Sequence, residues 1–386
     1  SYDACMKIAI APDSFKDALG AKGVECHIFS GLRSVLSDVD IAGYPVSDGG
    51  EGFAQALQWC CTSSWEELHG LDPLGREVPA KWLKMLDAQD QPLVAVVELA
   101  EVSGLERLES EERDPTKTTT YGTGRLITEA LSSRSHGIYL GIGGSATNDA
   151  GCGIAQALGV RFFDQCDQLI NEPITGRDLE KIKRVDVERS SVSEMSHRMK
   201  VACDVTNPLT GPNGAAHIYA PQKGATSEQV EQLDAGLRHM AQLWRDQLGV
   251  DVERMPGAGA AGGVGGGLVA MLGAELVPGA DLVLDTIGFD ERIKDADLVI
   301  TGEGRLDSQS LNGKAAMAVA RRCQKAGVPC VALVGSVGEG AEESLDHGLS
   351  AYHVIGAGLP AEESIRRTGE LLEQAAMKLA QERLLK

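Results

Sequence analysis

The chain has 386 residues, which is more than one hydrophobic core usually organises, so its length predicts two domains. Its 56 acidic residues against 36 basic ones give a formal net charge of −20, which disfavours nucleic acid and anionic membrane surfaces as partners. Aromatic residues make up 4% of the chain and glycines number 46, a composition typical of α/β enzymes and not of surfaces that bind other proteins.

The cysteines and the apolar runs bear on the cellular location. Nine cysteines are an odd number and lack metal-ligand spacing, which predicts free thiols in a reducing cytoplasm. The longest apolar runs, such as Val94 to Leu99, have the length of a strand, whereas a membrane span needs roughly 20 residues. We therefore expect a cytoplasmic protein; its oligomeric state stays open.

Short β-branched runs alternate with longer helical patterns along the chain, which predicts parallel βαβ units and an α/β fold. Near-continuous hydrophobicity predicts buried strands at Lys7 to Ala11, Leu93 to Leu99, Ile138 to Ile142, Lys200 to Cys203, Leu298 to Thr301, Val328 to Val334 and Ala351 to Ile355. Helices are predicted at Ser227 to Leu248, Lys314 to Ala326 and Ala361 to Leu385. Thr226 and Gln229 can form a capping box before the first of these helices.

The middle of the chain is richer in glycine and is framed by turns at Asp72 to Gly75 and at Pro278-Gly279. We expect one Rossmann-like domain with a mostly parallel sheet from residues 1–70 plus 285–386, interrupted by a second, inserted α/β domain from residues 71–284. The active site is then expected in the cleft between the two domains.

The densest polar motif is the glycine-rich segment from Gly141 to Gly151, directly after a predicted strand and opening a predicted helix. Glycines let successive backbone N–H groups face an anion, and a helix N-terminus adds partial positive charge. The candidate binding residues are Gly143, Gly144, Ser145, Thr147, Asn148 and Asp149. The alternative is a glycine turn with an Asx cap and no ligand. The glycine run from Pro256 to Gly267 lacks a clear preceding strand, so we interpret it as a flexible loop and a close-packed helix start, not a dinucleotide loop.

Further polar residues follow other predicted strands, where open α/β sheets bind ligands. Asp13 and Lys16 lie after the first strand, and Asp48 lies in a segment with glycines and Glu51. Asp204 and Asn207 follow the strand ending at Cys203. A late cluster contains Glu303, Arg305 and Asp307, an acid and base pattern that fits a nucleotide and metal site. Taken singly, each could equally be a turn, a cap or a surface ion pair.

Taken together, these segments resemble the bacterial type I glycerate kinases over nearly the whole chain. The similar segments are Ala11 to Lys16, Ser47 to Gly52, Gly141 to Asp149, Ala202 to Gly211, Pro221 to Ala225 and Thr301 to Gln309. Two small departures lie beside these motifs: Ala150 stands where the family usually has glycine, and Asp17-Ala18 replaces the more usual Glu-Ser. The resemblance implies an ATP:glycerate phosphotransferase with two α/β domains.

Phosphoryl transfer chemistry then suggests roles for these residues, with ATP and Mg²⁺ as cofactors. We expect Asp48 to act as base, Lys16 to neutralise the transferring phosphoryl group and Asp204 to hold the metal, although the two aspartates could be exchanged. The glycine-rich segment and Asn207 are expected to bind the substrate, and the late cluster the nucleotide. A non-catalytic sugar-acid sensor that binds glycerate is the competing hypothesis, and the sequence does not decide between 2- and 3-phosphoglycerate as product.

Overall fold

The secondary structure comes from a computed structural model that describes residues 6–188 and 199–384. The strands are β1 (Met6–Ile10), β2 (Val39–Gly43), β3 (Ser63–Leu71), β4 (Glu77–Leu86), β5 (Pro92–Glu98), β6 (Ile138–Gly141), β7 (Arg161–Phe163), β8 (Arg184–Asp186), β9 (Met199–Ala202), β10 (Glu275–Val277), β11 (Leu298–Leu306), β12 (Cys330–Val337) and β13 (Ala351–Val354). The helices are α1 (Ala21–Arg33), α2 (Phe53–Cys60), α3 (Ala100–Ser103), α4 (Tyr121–Ser132), α5 (Cys152–Ala157), α6 (Ala215–Tyr219), α7 (Ser227–Leu243), α8 (Ala260–Leu272), α9 (Gly279–Thr286), α10 (Phe289–Ile293), α11 (Ala315–Ala326), α12 (Ala361–Arg366) and α13 (Thr368–Leu379).

The chain divides into two units, each with its own sheet. The first unit consists of the described residues of Ser1–Asp48, Gln55–Cys61 and Pro278–Lys386, so it is built from both ends of the chain. The second unit consists of Gly49–Ala54 and the described residues of Thr62–Val277. No helix in the described part of the chain is both long and apolar enough to cross a membrane.

The first unit contains a five-stranded sheet in the order β13-β12-β11-β1-β2, in which every neighbouring pair is parallel. Its strands carry buried residues such as Ile10, Ile300 and Leu333, because helices cover both faces of a parallel sheet. The chain runs from β1 to β2 on one side and returns on the other side with β11. The direction of winding therefore reverses between β1 and β11, at the point where doubly wound sheets bind ligands.

The second unit contains a six-stranded mixed sheet in the order β10-β9-β6-β5-β4-β3. Strands β5, β6, β9 and β10 are parallel, whereas β3 and β4 form an antiparallel hairpin at the edge. Strands β7 and β8 form a separate two-stranded antiparallel sheet. Buried apolar residues of β5, β6 and α4, including Val97, Leu140 and Leu126, contribute to the core of this unit.

The predicted α/β class is confirmed, and each of the seven predicted strands overlaps a strand of the structure. The capping box of Thr226 and Gln229 is present, and α7 continues through a π-helical turn at Trp244–Leu248. The prediction of one closing helix is wrong within the described residues, because Arg367 has non-helical dihedral angles and separates α12 from α13. The six strands that the sequence did not reveal are β2, β3, β4, β7, β8 and β10.

Candidate functional site

The first group of candidate side chains lies beyond the carboxyl ends of β1 and β2 and in the carboxyl-terminal half of β11, in the first unit. The backbone N–H of Asp13 donates to the carbonyl oxygen of Gly302 at 2.9 Å, which fixes the segment after β1 against β11. Glu303 lies within β11, since that strand extends beyond the predicted end at Thr301. Asp48 follows β2 and is half-buried. The topology thus brings acids from three strand ends to the point where the winding of the sheet reverses.

The electrostatics of Asp13 indicate that these acids act on one another. Burial raises the pKa of Asp13 to about 8, with further increases from the negative charges of Asp48 and Glu303. The backbone N–H of Ser14 donates to the Asp13 carboxylate at 2.6 Å and partly offsets this effect. A proton or a cation would relieve the repulsion between such groups, which makes the cluster a candidate site for proton or metal chemistry.

Glu303 is the most buried acid of the group, with only 3% of its surface exposed. Its Oε2 accepts a hydrogen bond from the Ser310 hydroxyl at 3.2 Å and lies 3.6 Å from the Lys314 ammonium. Among the described residues its buried Oε1 has no hydrogen-bond partner. Burial raises the pKa of Glu303 to about 7 despite Lys314 and Ser310. An unsatisfied buried carboxylate oxygen is expected where a ligand or water completes a site.

Three other predicted residues of this unit are more exposed. Lys16 is an exposed side chain. Arg305 is 63% exposed, and its Nε donates to Asp307 Oδ2 at 2.9 Å. Asp307 also accepts from the backbone N–H groups of Gln309 and Ser310, so it organises the turn after β11. Within the predicted nucleotide cluster, only Glu303 is therefore buried.

The glycine-rich segment lies in the second unit, where residues 142–151 form a loop between β6 and α5. A Cβ atom at Gly143 would lie 2.7 Å from the Cα atom of Gly50, so this position requires glycine for close packing. Gly144 has a φ of 69°, in the left-handed region. Backbone hydrogen bonds of 2.9 Å from Ala146 to Ser103 and from Leu105 to Gly144 tie the loop to the segment after β5.

The glycine run near residue 260 supports this loop from another side. Helix α8 begins within the run, and Cβ atoms at Gly262 and Gly267 would lie 2.1 Å from the Thr147 carbonyl oxygen and 1.8 Å from the Ala150 carbonyl oxygen. The close-packed helix start that the sequence predicted is therefore present. Its small residues let α8 approach the backbone of the loop directly.

Thr147 and Asn148 are fully buried polar residues in the loop. Their side-chain atoms Thr147 Oγ1, Asn148 Oδ1 and Asn148 Nδ2 have no hydrogen-bond partner among the residues that the structure describes. Leaving such groups unsatisfied costs about 1–3 kcal/mol each. A bound water or ligand group would remove that cost, which makes this pair a candidate contact for substrate.

Asp149 is also fully buried, but its carboxylate is surrounded by donors of the protein itself. It accepts from the N–H and the hydroxyl of Thr120, both at 2.7 Å, and from the N–H groups of Gly151 and Gly153. Burial still raises its pKa above the ordinary value. Asp149 therefore caps α5, and the first amides of that helix are not open to a ligand. The contribution of this helix N-terminus to anion binding stays a prediction, and the N–H groups of Gly151 and Gly153 are already engaged by Asp149.

The two predicted residues after β9 differ in their surroundings. Asp204 is half-buried beyond the end of the strand. The Asn207 amide nitrogen donates to the Asn213 carbonyl oxygen at 2.9 Å, and its Oδ1 accepts from the Tyr219 hydroxyl at 2.6 Å. Both ends of the Asn207 side chain thus hold the local turn.

Comparison with known proteins identifies the family to which this chain belongs. The model of the glycerate kinase family matches residues 8–384. The chain belongs to the glycerate kinase family. A glycerate kinase from Halalkalibacterium halodurans is 41% identical over 97% of both chains, and a glycerate 2-kinase from Escherichia coli is 42% identical over 91% of this chain and 90% of that relative. A crystal structure described as a glycerate kinase 2 from Salmonella typhimurium LT2 superimposes with a TM-score of 0.84 at 39% identity and covers 98% of both chains.

Two ionisable residues of the second unit, the buried Lys223 and the half-buried Glu98, have no role among the sequence predictions. Lys223 is 2% exposed, and its ammonium donates to Ser145 Oγ and to the Thr147 carbonyl oxygen, both at 2.7 Å. Glu98 ends β5 beside Gly141, and burial raises its pKa to about 7 although the N–H of Ala54 donates to it. The only sequence signals were the place of Lys223 in a family motif and the place of Glu98 at a strand end.

Proposed function

We propose that this chain is a bacterial type I glycerate kinase that transfers the γ-phosphoryl group of ATP to a hydroxyl group of glycerate, giving phosphoglycerate and ADP. The observation that carries the proposal is the family match over residues 8–384, with relatives at 41% and 42% identity that are named glycerate kinase and glycerate 2-kinase. The acids at the winding reversal of the first sheet and the loop of the second unit provide chemistry of the required kind. The free cysteines of the described residues support a cytoplasmic location as part of the proposal.

The acids of the first unit suit a divalent cation. The chemistry of the donors fits, because Glu303 Oε1 is buried without a partner among the described residues and Asp13 is destabilised by neighbouring negative charge. No three His, Cys, Asp or Glu side chains within residues 6–188 and 199–384 form a complete metal site. Mg²⁺ commonly uses one or two carboxylates together with substrate phosphates, so Asp13 and Glu303 would hold it in that way. When bound, Mg²⁺ supplies charge neutralisation for the phosphates.

The remaining acids divide between proton transfer and metal binding. Asp48 would accept the proton of the attacking hydroxyl, and Asp204 would contribute to the metal, with the exchange of these two roles as the alternative. The exposed Lys16 would neutralise the transferring phosphoryl group, and Arg305 and Asp307 would contact the nucleotide. Asp48→Asn and Asp204→Asn preserve shape while removing charge. Only the variant that lacks a metal ligand should regain activity with excess Mg²⁺, and an unchanged Mg²⁺ dependence in both would refute a metal role for either.

The loop of the second unit would bind an anionic group of the substrate. Gly143 and Gly144 allow close approach to the backbone, Ser145 supplies a hydroxyl group, and the unsatisfied polar atoms of Thr147 and Asn148 offer further contacts. Asp149 and Asn207 would act indirectly, since their side chains hold the surrounding backbone. Of the five side chains, Ser145, Thr147 and Asn148 would therefore bind the substrate, and the other two would support the backbone.

An ADP-coupled assay with the purified chain tests the function. We expect ADP release that depends on both glycerate and Mg²⁺ and is absent with propionate, which has no hydroxyl group to accept the phosphoryl group. A non-catalytic sensor would bind glycerate, as measured by calorimetry, without releasing ADP above the background without glycerate. That outcome would replace the kinase proposal with the sensor hypothesis.

A further inference from the structure

Lys223 is a buried cation whose position is not explained by stabilisation of the fold alone. It ends the 3₁₀ turn Pro221–Lys223, directly after α6, and only 2% of its surface is exposed. Burial of an ammonium group is costly unless hydrogen bonds and opposite charge compensate it. Burial lowers the pKa of Lys223 to about 7, although the negative charge of Asp149 acts in the opposite direction.

The contacts of the ammonium group point to the loop. Two of its three protons go to Ser145 Oγ and to the Thr147 carbonyl oxygen, both at 2.7 Å. Among the described residues the ammonium group makes no hydrogen bond to Asp149, whose carboxylate accepts from Thr120, Gly151 and Gly153. The lysine therefore contacts the loop through two residues that flank Ala146, and the third proton has no acceptor in the described structure.

The contact with Ser145 has a chemical consequence. Because the Ser145 oxygen accepts from a cation, its own proton must be donated in another direction. Ser145 is buried but not completely enclosed, with 7% of its surface exposed. A hydroxyl group polarised in this way is a stronger donor to an anion, and the positive charge behind it is useful in a chain of net charge −20.

We propose that Lys223 is a positioning residue that orients Ser145 as a hydrogen-bond donor and holds the loop from Gly143 to Asn148 in the conformation that binds an anionic group of the substrate. The group is a carboxylate or a phosphate, and separate measurements with the two substrates distinguish these sources. The inference rests on the proposed function and extends it to a residue to which that proposal gives no role.

The test compares the wild type with Lys223→Met, Ser145→Ala and the double variant. Lys223→Met keeps the length of the side chain and removes its charge, and Lys325→Met makes the same change at an exposed lysine of α11 as a matched control. Apparent KM values for glycerate and for ATP are measured separately, each with the other substrate saturating, after thermal unfolding has confirmed a folded protein. Loss of a charge-assisted hydrogen bond predicts that Lys223→Met raises KM for one substrate about tenfold or more. A rise in KM for glycerate would identify the bound anionic group as the carboxylate of glycerate, and a rise in KM for ATP would identify it as a phosphate of ATP.

The double variant and the pH dependence separate positioning from general packing. If Lys223 acts through Ser145, the double variant should be little worse than either single variant, because the two changes remove one interaction. The KM of the wild type should rise above about pH 7 as Lys223 loses its proton, and this rise should be absent from Lys223→Met. Asp13, Glu98 and Glu303 have pKa values raised to about 8, 7 and 7 and titrate over a similar pH range in both proteins, so only the difference between the two profiles is assigned to Lys223.

Three results would overturn the inference: unchanged KM values in folded Lys223→Met, additive effects in the double variant, or identical pH profiles. If Lys223→Met does not fold, the test rests on Ser145→Ala. A normal KM for both substrates in that variant would exclude an effect of Lys223 through Ser145. Absence of glycerate turnover by the wild type would instead refute the proposed function, and the two failures are therefore distinguishable.

Discussion

Replacement of Gly143 by alanine should disrupt the contact between two glycine motifs of the second unit. The added Cβ atom would lie 2.7 Å from Gly50 Cα, about 0.7 Å inside the 3.4 Å at which ordinary contact begins. Gly50 Cα is a backbone atom and a Cβ atom is fixed to the backbone of its residue, so neither atom can rotate away. The loop must therefore shift by a comparable distance. Overpacking of this kind costs about 1–3 kcal/mol of unfolding free energy. A shift approaching 1 Å in a binding loop can reduce catalysis about 100-fold.

The assay combines steady-state kinetics with thermal unfolding. We expect kcat/KM for glycerate to fall about 100-fold in Gly143→Ala, while the melting temperature falls by only several degrees. Gly20→Ala is the control, because Gly20 also has a negative φ and a Cβ atom there would have no neighbour within 4 Å. A folded Gly143→Ala protein with the kcat/KM of the wild type would refute the reasoning that this close contact positions the loop.

Three further substitutions test other parts of the structure. Because the pKa of Asp13 is raised to about 8, its carboxyl group lowers the free energy of unfolding as the pH rises from about 4 towards 8. Asp13→Asn should therefore raise the melting temperature more at pH 8 than at pH 5, and an equal gain at both pH values would contradict this. Asp149→Asn should lower the free energy of unfolding, measured with urea, by about 3 kcal/mol or more, because an amide cannot accept all the hydrogen bonds from Thr120, Gly151 and Gly153. An unchanged midpoint of urea unfolding would show that these hydrogen bonds are unimportant for stability. Arg134→Gly should raise the melting temperature through a gain of about 1 kcal/mol, because Arg134 is exposed at a φ of 65°, and a decrease would exclude backbone strain there.

Most of the parallel strands were predictable from sequence because their hydrophobicity is continuous, whereas the parallel strands β2 and β10 were not predicted. The hairpin of β3 and β4 was not, since its partly exposed strands alternate in burial and contain several charged residues. The turn at Asp72 to Gly75 was recognised, but it connects the two strands of this hairpin. The part of β11 beyond Thr301 was also not predicted, because Gly302 and Gly304 disfavour a strand. Pairing with β12, such as that of Arg305 with Ser336, stabilises this part of the strand.

The positions of the candidate acids were predictable near the strand ends and less so elsewhere. Asp13 and Asp48 lie beyond the carboxyl ends of parallel strands and Glu303 lies near such an end, where open α/β sheets bind ligands. Burial of Lys223 could not be foreseen, because lysine is normally exposed and its partners lie 78 and 76 residues away in the chain. The capping role of Asp149 likewise depends on Thr120, which only the folded structure brings to it.

Direct identification of the phosphorylated product tests the central claim. The purified chain is incubated with glycerate, ATP and Mg²⁺, and the mixture is followed by proton-coupled ³¹P NMR. We predict a phosphomonoester signal that grows with ADP and couples to the protons of glycerate, and the coupling pattern identifies the 2- or the 3-hydroxyl as the acceptor. No phosphoglycerate signal from a folded protein, or ATP consumption that yields only inorganic phosphate, would contradict the account.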